Sequence, residues 1–465
     1  MHHTTTMSTD DLARRIGSGD VDTVVVAFTD IQGRLVGKRV TGSFWLDHVR
    51  EHGIEACDYL FTVDVALTPL DGFRFADWES GYGDVKVVPD LATIRPMSWA
   101  PRSVLVLGDV VDVDNGEPVE ISPRRVLQRQ VERAAEHGIG VKMAAEIEFY
   151  LFAESYAEAA VKGYGNLTPG ASGILDYQLR AGGADEPVIA DIRAALETAG
   201  VPVEMSKGEA GRGQHEINLR YTDAVEMADR CVIYKTVVKE VAAAHGRSAT
   251  FMAKPVMAES GSSCHVHVST WELGGRQALM WDGSAGGPSN HFDQFLGGLV
   301  AGAGDLALMF APTMNSYNRF RGSSWAPTTI AWGRDNRTCG FRSVGVGPSH
   351  RIECRIPGAD VNPYLAFAAV LAGGLHGVDQ GLSAGPPLQG NAYADRGDND
   401  DGRLGSNRLP ASLVDAVDRF AASDLVAEAF GDDVRYHLAH MGRAEWAAFH
   451  QMVSDFELTR NFEEI

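Results

Sequence analysis

The sequence is short of positive charge, of paired cysteines and of long apolar runs, and each shortage excludes something. Its 465 residues carry 41 lysines and arginines against 62 aspartates and glutamates, a formal net charge of −21. Such a balance argues against general affinity for nucleic acid or anionic membrane. It leaves room for phosphate ligands, because a local arginine cluster can bind them inside an acidic protein. The five cysteines, Cys57, Cys231, Cys264, Cys339 and Cys354, are odd in number and form no C-x-x-C. A disulfide framework is therefore not expected, and a reducing cytoplasm is. No apolar run approaches the ~18–20 residues needed to cross a bilayer. Met1-His2-His3-Thr4 lacks the basic stretch and apolar core of a signal peptide, so a cytoplasmic protein is expected. There is also no G-x-x-x-x-G-K-[ST], so any nucleotide is not held by a P-loop.

What remains is ordinary globular material, 45% hydrophobic and 22% charged, long enough for two domains. Val21 to Phe28 and Leu35 to Val40, joined by Thr29-Asp30-Ile31-Gln32-Gly33, read as a hairpin. Ser43 to His52 reads as a short helix. Val104 to Val113 and Pro118 to Ile121, around Asp114-Asn115-Gly116, read as a second hairpin. Ser122-Pro123-Arg124 then opens a helix, with serine at the cap and proline at the first position. Residues 1–120 thus form one strand-rich module and 121–465 the larger remainder. Ala384 to Arg408 is a loop, followed by helical periodicity from Leu413 to Phe462.

The chemistry lies between residues 140 and 360. Glu146 and Glu148 are two apart amid β-formers, so on a strand they share one face while Ile147 and Phe149 enter the core. The pattern recurs in Gln214, Glu216 and Asn218, in His265, His267 and Ser269, and in Arg351, Glu353 and Arg355. Alternation alone fits a solvated face, which normally carries Lys, Thr and Ser. These faces carry Glu, His and Arg with no lysine among them. With Glu209 on the loop before the second strand, the glutamates would repel one another unless a cation lay between them. Carboxylates plus one histidine are hard-donor chemistry suited to Mg²⁺ or Mn²⁺. Arg319, Arg337, Arg342, Arg351 and Arg355 follow within a short span and suit phosphate.

At this point the sequence resembles the glutamine synthetase family, bacterial type I, over essentially its full length. The matching motifs are Ala145-Glu146-Ile147-Glu148-Phe149, Glu209-Ala210-Gly211-Arg212-Gly213-Gln214-His215-Glu216, Thr250-Phe251-Met252-Ala253-Lys254-Pro255, Ser260-Gly261-Ser262 leading to His265-Val266-His267, Asn315-Ser316-Tyr317 ending at Arg319, Asn336-Arg337, and Arg351-Ile352-Glu353-Cys354-Arg355 with Asn362-Pro363-Tyr364-Leu365. The resemblance implies an α+β fold: a small β-grasp-like N-terminal domain and a catalytic domain with an antiparallel strand funnel and surrounding helices. It also implies a homo-dodecamer of two hexameric rings, each site completed by a neighbour's N-terminal domain. Two or three Mg²⁺ or Mn²⁺ ions per site are implied, with ATP as co-substrate. Glu148, Glu209 and Glu216 correspond to the ligands of the first metal, and Glu146, His265 and Glu353 to those of the second. Glu204, His267, Ser269, Arg337 and Arg342 correspond to nucleotide contacts. Glu148, Gly261, His265, Arg319 and Arg355 correspond to the L-glutamate site, with Ser260 where the family has asparagine. Arg337, Arg342 and Glu353 correspond to catalytic positions, and the implied chemistry passes through a γ-glutamyl phosphate.

The departures concern the nitrogen nucleophile. Family members that use ammonium carry a flap glutamate before Ala-Pro, where this chain has Trp325. They also carry an Asp-Gly-Ser-Ser segment, for which Asp71-Gly72, continuing Phe73-Arg74, is the nearest counterpart. An indole holds a substituted ammonium through its face and by apolar contact, worth ~0.5–2 kcal/mol, whereas its alternative role is packing. The pocket so altered resembles that of the γ-glutamyl-amine ligases. The Val21 to Asp30 and Trp78 to Asp84 segments most resemble the actinobacterial γ-glutamylethanolamide synthetases. The expected amine is thus small and primary, ethanolamine first. The alternatives are glutamine synthesis from ammonium and a non-catalytic glutamate-sensing or scaffold role, against which the retention of every expected metal ligand argues. Tyr393 stands where some relatives carry an adenylylated tyrosine, but Ala394-Asp395-Arg396 departs from that context and modification is not expected.

Overall fold

The computed structural model describes residues 6–179, 183–284, 286–322, 324–394 and 408–465. β1 (Thr23–Thr29) and β2 (Leu35–Thr41) form the first expected hairpin, its turn closed by Asp30, which accepts from the Arg34 amide and guanidinium. Gly42 to His52 is helical as expected, although Trp45–Val49 in its middle widens to π geometry. β3 (Ile54–Cys57), β4 (Asp84–Pro89), β5 (Arg95–Pro96) and β6 (Ser103–Asp112) complete a six-stranded sheet of order β2-β1-β6-β4-β3, with β5 beside β6. The second hairpin is only half formed. Its return arm makes a single bridge, Val111 to Pro118, because proline offers no N–H with which to extend a ladder. Pro123–Glu136 is a helix, but the Ser122 hydroxyl makes no capping bond.

The second sheet is built around β7 (Ile139–Phe152). Against it pair β9 (Gln214–Leu219), which in turn pairs with β8 (Val203–Gly208), and the short β10 (Thr222–Asp223) and β11 (Ser248–Thr250). On the other side the order runs from β7 to β12 (Cys264–Glu272). Beyond a separate small pair, β13 (Trp281–Asp282) with β14 (Gly287–Pro288), the sheet ends with β15 (Trp332–Arg334), β16 (Phe341–Val344) and β17 (Arg351–Cys354), in the order β12-β17-β16-β15. Ile147, Phe149, Ile217, Val266, Val268, Ile352 and Cys354 are all fully buried behind it. Ala224–Ala244 lies against that apolar face along β7, and Pro363–Gln380 packs on that helix in turn. Tyr234 on the first donates to the Ile147 carbonyl at 2.8 Å. The second meets Asn290–Gly302 at a glycine contact, where a Cβ on Gly298 would lie 2.1 Å from the Gly373 carbonyl oxygen.

Buried polar groups join the two sheets. Arg95, wholly buried, donates to the Ala199 and Gly200 carbonyls and to both oxygens of Glu226. Arg124 holds Asp90 and Asp109 from the first sheet's side and Asp229 from the second's. Asn362 donates to the carbonyls of Asp30 and Ile31 in the first hairpin's turn. Removing one partner from such a buried arrangement costs roughly 3–5 kcal/mol, so these links fix the relative position of the sheets. The C-terminal helices Leu413–Ala422, Asp424–His450 and Asp455–Asn461 follow the expected periodicity. Of the expected Ala384 to Arg408 loop, residues 395–407 lie outside the described residues, as does Ser323. All five cysteines are free, and no helix among the described residues is long and apolar enough to cross a membrane.

Candidate active site

Strand register lines up the polar faces of the second sheet into three cross-strand rows. Lys207 on β8 faces Glu216 on β9, which faces Glu148 on β7. Asn218 faces Glu146, which faces His265 on β12. His267 faces Glu353 on β17, which faces Arg342 on β16. Directly opposed side chains stand about 4.5–5.5 Å apart at Cβ, close enough to interact. A one-residue slip in any pairing would turn these rows into the core, so burial of Ile147, Ile217 and Ile352 behind them fixes the register. The rows form the floor of a cavity of about 1230 Å³, which all of the row residues line except Glu353, buried beneath it.

Three groups on this floor bring ligand atoms within 4.8 Å of one another: Glu148, Glu209 and Glu216; Glu146, Glu216 and His265; and Glu146, His267 and Glu353. The first is the expected trio. The second expected trio, Glu146, His265 and Glu353, is divided between the other two groups. Arg342 and Arg355 draw Glu353 toward themselves, leaving its oxygen 3.9 Å from His265 Nδ1.

The electrostatics fit a divalent cation. Burial, with the charge of Glu209, pushes Glu148 up to about 8. Burial, with Glu146, Glu148 and Glu209, pushes Glu216 up to about 9. Carboxylates crowded in this way are missing positive charge. Burial and the Arg355 guanidinium push His265 down to about 4, so its imidazole is neutral near pH 7, the form that binds metal. Its Nε2 is buried with no hydrogen-bond partner, while Nδ1 meets Glu146 at 3.2 Å. Burial alone would raise Glu146, but bonds from His265 and His267 hold it below the carboxylate range.

Lys207 is the residue sequence reading missed. Its ammonium contacts Glu209, lies 3.8 Å from Asp176 and sits 4.6 Å from the Tyr177 ring centre. Lys207 comes from a fifth strand, β8, that was not read from the sequence, so the spacing of Lys207 to Glu209 passed unnoticed. Asp176 and Tyr177 come from an irregular segment whose sequence carries no periodic signal.

The other expected residues divide. Glu204, Gly261, His267, Arg337, Arg342, Arg355 and Trp325 line the main cavity. Ser269 lies instead in an adjoining cavity of about 420 Å³, with Glu204, His267 and Arg351, and accepts from Trp271 Nε1. Gly261 admits no side chain, since a Cβ there would lie 2.6 Å from Arg319 Cγ. Arg319 itself is 1% exposed and does not line the cavity. Its guanidinium donates to Ser263 Oγ and to the Arg355 and Ile356 carbonyls at the strand end that carries Arg355. Asp71 is absent from this cavity's lining; its carbonyl accepts from His440 on the C-terminal side. Trp325 is 60% exposed at φ +63°, so its indole buries little and faces the cavity rather than filling a core.

Comparisons agree with this geometry. The profile of the glutamine synthetase catalytic domain matches residues 120–461. The chain is 42% identical to γ-glutamylethanolamide synthetase GlnA4 of Streptomyces coelicolor, over 98% of this chain and 96% of that one. It is 36% identical to glutamate–isopropylamine ligase of a Pseudomonas species, over 95% of each chain. A solved GmaS/ADP complex, 29% identical, superposes with a TM-score of 0.82 over 97% of this chain and 99% of that one. With its α+β fold, its strand funnel and its carboxylate floor, this chain belongs to the glutamine synthetase family.

Proposed function

We propose that this protein is an ATP-dependent ligase that joins the γ-carboxyl of L-glutamate to a small primary amine, ethanolamine first. The observation that carries the reading is Trp325: an exposed indole at the edge of a glutamine-synthetase-type floor, where ammonium-using members carry a carboxylate. The names of the two relatives, one an ethanolamide synthetase and one an isopropylamine ligase, support an amine larger than ammonium.

Glutamate's γ-carboxylate attacks the γ-phosphate of ATP, giving γ-glutamyl phosphate and ADP; the amine, losing a proton, then displaces phosphate. Glu148, Glu209 and Glu216, and Glu146, His265 and Glu353, would hold Mg²⁺ or Mn²⁺, which supplies positive charge for the phosphoryl group in flight. Arg337 and Arg342, which both line the cavity, would meet phosphate oxygens. Glu204 and His267, with Ser269 in the adjoining cavity, receive the nucleotide. Gly261 leaves room for glutamate's backbone atoms, Arg355 holds a carboxylate, and Arg319 braces it. Trp325 covers the acyl phosphate with an apolar face that accepts an alkylammonium.

The same reading takes residues 1–120 and 121–465 as two domains, the cytoplasm as the location, and a dodecamer of two hexameric rings as the assembly. In that assembly Asp71 serves a neighbouring copy's site, since it does not line its own. The test is phosphate release from ATP and glutamate across a panel of amines. Ethanolamine is expected to surpass ammonium. Turnover with low-millimolar ammonium matching that with every amine would assign glutamine synthesis instead. No release with any amine, together with no thermal shift from Mg²⁺-ATP, would make the chain a non-catalytic homologue.

A further inference from the structure

Two loops at the cavity edge lie close together in the chain, and a third segment from much further along ties them together. One carries Arg337 between Asn336 and Thr338; the other carries Trp325 and Ala326. Residues 388–393 run between them. The Leu388 amide donates to the Trp332 carbonyl at 2.8 Å, anchoring the segment to β15. Asn336 Nδ2 donates to the Gly390 carbonyl at 2.8 Å, and the Ala392 amide donates to Thr338 Oγ1 at 2.9 Å. At the far end Tyr393 Oη donates to the Ala326 carbonyl at 2.9 Å.

The loop that Tyr393 reaches carries a strained residue. Ala326 is buried, but Trp325 before it is mostly exposed and sits in the left-handed region, which strains a non-glycine residue. A strained residue keeps its conformation only where its surroundings impose it. Ser324 Oγ bonds to the Arg319 and Arg321 carbonyls on one side of Trp325, and the Tyr393 hydroxyl does so on the other.

We infer that Tyr393 is a positioning residue for the nucleophile: through the Ala326 carbonyl it fixes Trp325 over the cavity, and through residues 388–393 it couples that position to the loop bearing Arg337. The inference rests on the proposed glutamate–amine ligase reading. Tyr393 touches no reacting atom and lines no part of the cavity. Its effect therefore falls most on the amine and on shielding of the acyl phosphate, with a smaller effect on ATP through the Arg337 loop and none on glutamate.

Tyr393→Phe keeps the ring and deletes the bond. The KM for the amine should rise about three- to tenfold, with KM for glutamate and ATP changed by less than about twofold. Phosphate released without amide product should increase, since a loosened flap admits water to the acyl phosphate. Thr338→Val, which cuts the strap at its other end, should act in the same direction and gives a second route if Tyr393→Phe folds poorly. Because Tyr393 acts through Trp325, adding Tyr393→Phe to Trp325→Ala should leave the amine KM unchanged. Additive effects in that double variant, or equal rises in all three KM values, would overturn the inference while leaving the ligase reading intact. Absence of amine-dependent phosphate release from the unaltered protein would overturn both.

Discussion

The cavity floor and the cavity edge are made on different terms. The floor is sheet: Glu148, Glu216, His265, His267 and Glu353 are all under 8% exposed, each placed by register and held by neighbours across the strands. The edge is loop: Trp325 is more than half exposed, and Trp325 and Tyr177 both sit at positive φ. Phosphoryl transfer needs fixed charge at fixed distances, which rigid strands deliver. The choice of amine needs only a surface that meets one small group, and loops can change that surface without disturbing the floor. On the proposed reading, phosphoryl chemistry belongs to the floor and the choice of amine to the edge.

The sharpest way to break this division is at Glu353. Glu353→Ala deletes a floor carboxylate and leaves Arg342 and Arg355 without their common partner. Turnover should fall by ~10²-fold or more with the oligomer unchanged by size exclusion. Retention of about a tenth of the activity would show that the floor is not where charge is handled.

Metal binding probes the same floor without catalysis. Glu148 at about 8 and Glu216 at about 9 lie well above their ordinary 4.5, so the folded metal-free chain favours their protonated forms. That stabilisation is complete below about 4.5 and is lost as pH rises toward 8–9. The melting temperature in EDTA should therefore fall between pH 6 and pH 8.5. Mg²⁺ or Mn²⁺ binds the deprotonated carboxylates, so the rise it causes should be larger at pH 8.5; at ~100 Kd such binding is worth about 2.7 kcal/mol. An equal metal effect at both pH values would remove these carboxylates from the binding site.

Arg319→Lys asks how the floor is braced. A lysine cannot serve Ser263 and two carbonyls at once, so melting should drop by an amount worth ~1–3 kcal/mol, with a higher glutamate KM transmitted through Arg355. A raised glutamate KM with unchanged melting would return Arg319 to direct substrate contact.

The smallest expected effect is at the edge. Trp325→Glu restores a carboxylate and removes the indole. Both nucleophiles gain the charge, but only a substituted amine loses apolar contact. The ratio of amine to ammonium kcat/KM should fall roughly two- to thirtyfold, from ~0.5–2 kcal/mol. An unchanged ratio in steady-state kinetics would place Trp325 outside the nucleophile's path.

The sequence by itself determined the floor. A period of two and buried β-branched neighbours told which side chains share a face, and the choice of Glu, His and Arg told what that face does. It also placed Trp325 at the flap, because the Ala326-Pro327 landmark beside it is contiguous. Tertiary structure alone decided how these groups meet. Register joined Lys207 to Glu216, and arginines from β16 and the end of β17 pulled Glu353 away from His265, since partners across strands are set by hydrogen-bond ladders between segments far apart in the chain. It turned Arg319 inward onto the Arg355 and Ile356 carbonyls at the strand end, and it set Asp71 away from its own chain's cavity. The bond from Tyr393 to Ala326 spans 67 residues and follows no pattern of spacing. Only the folded backbone brings that hydroxyl to that carbonyl.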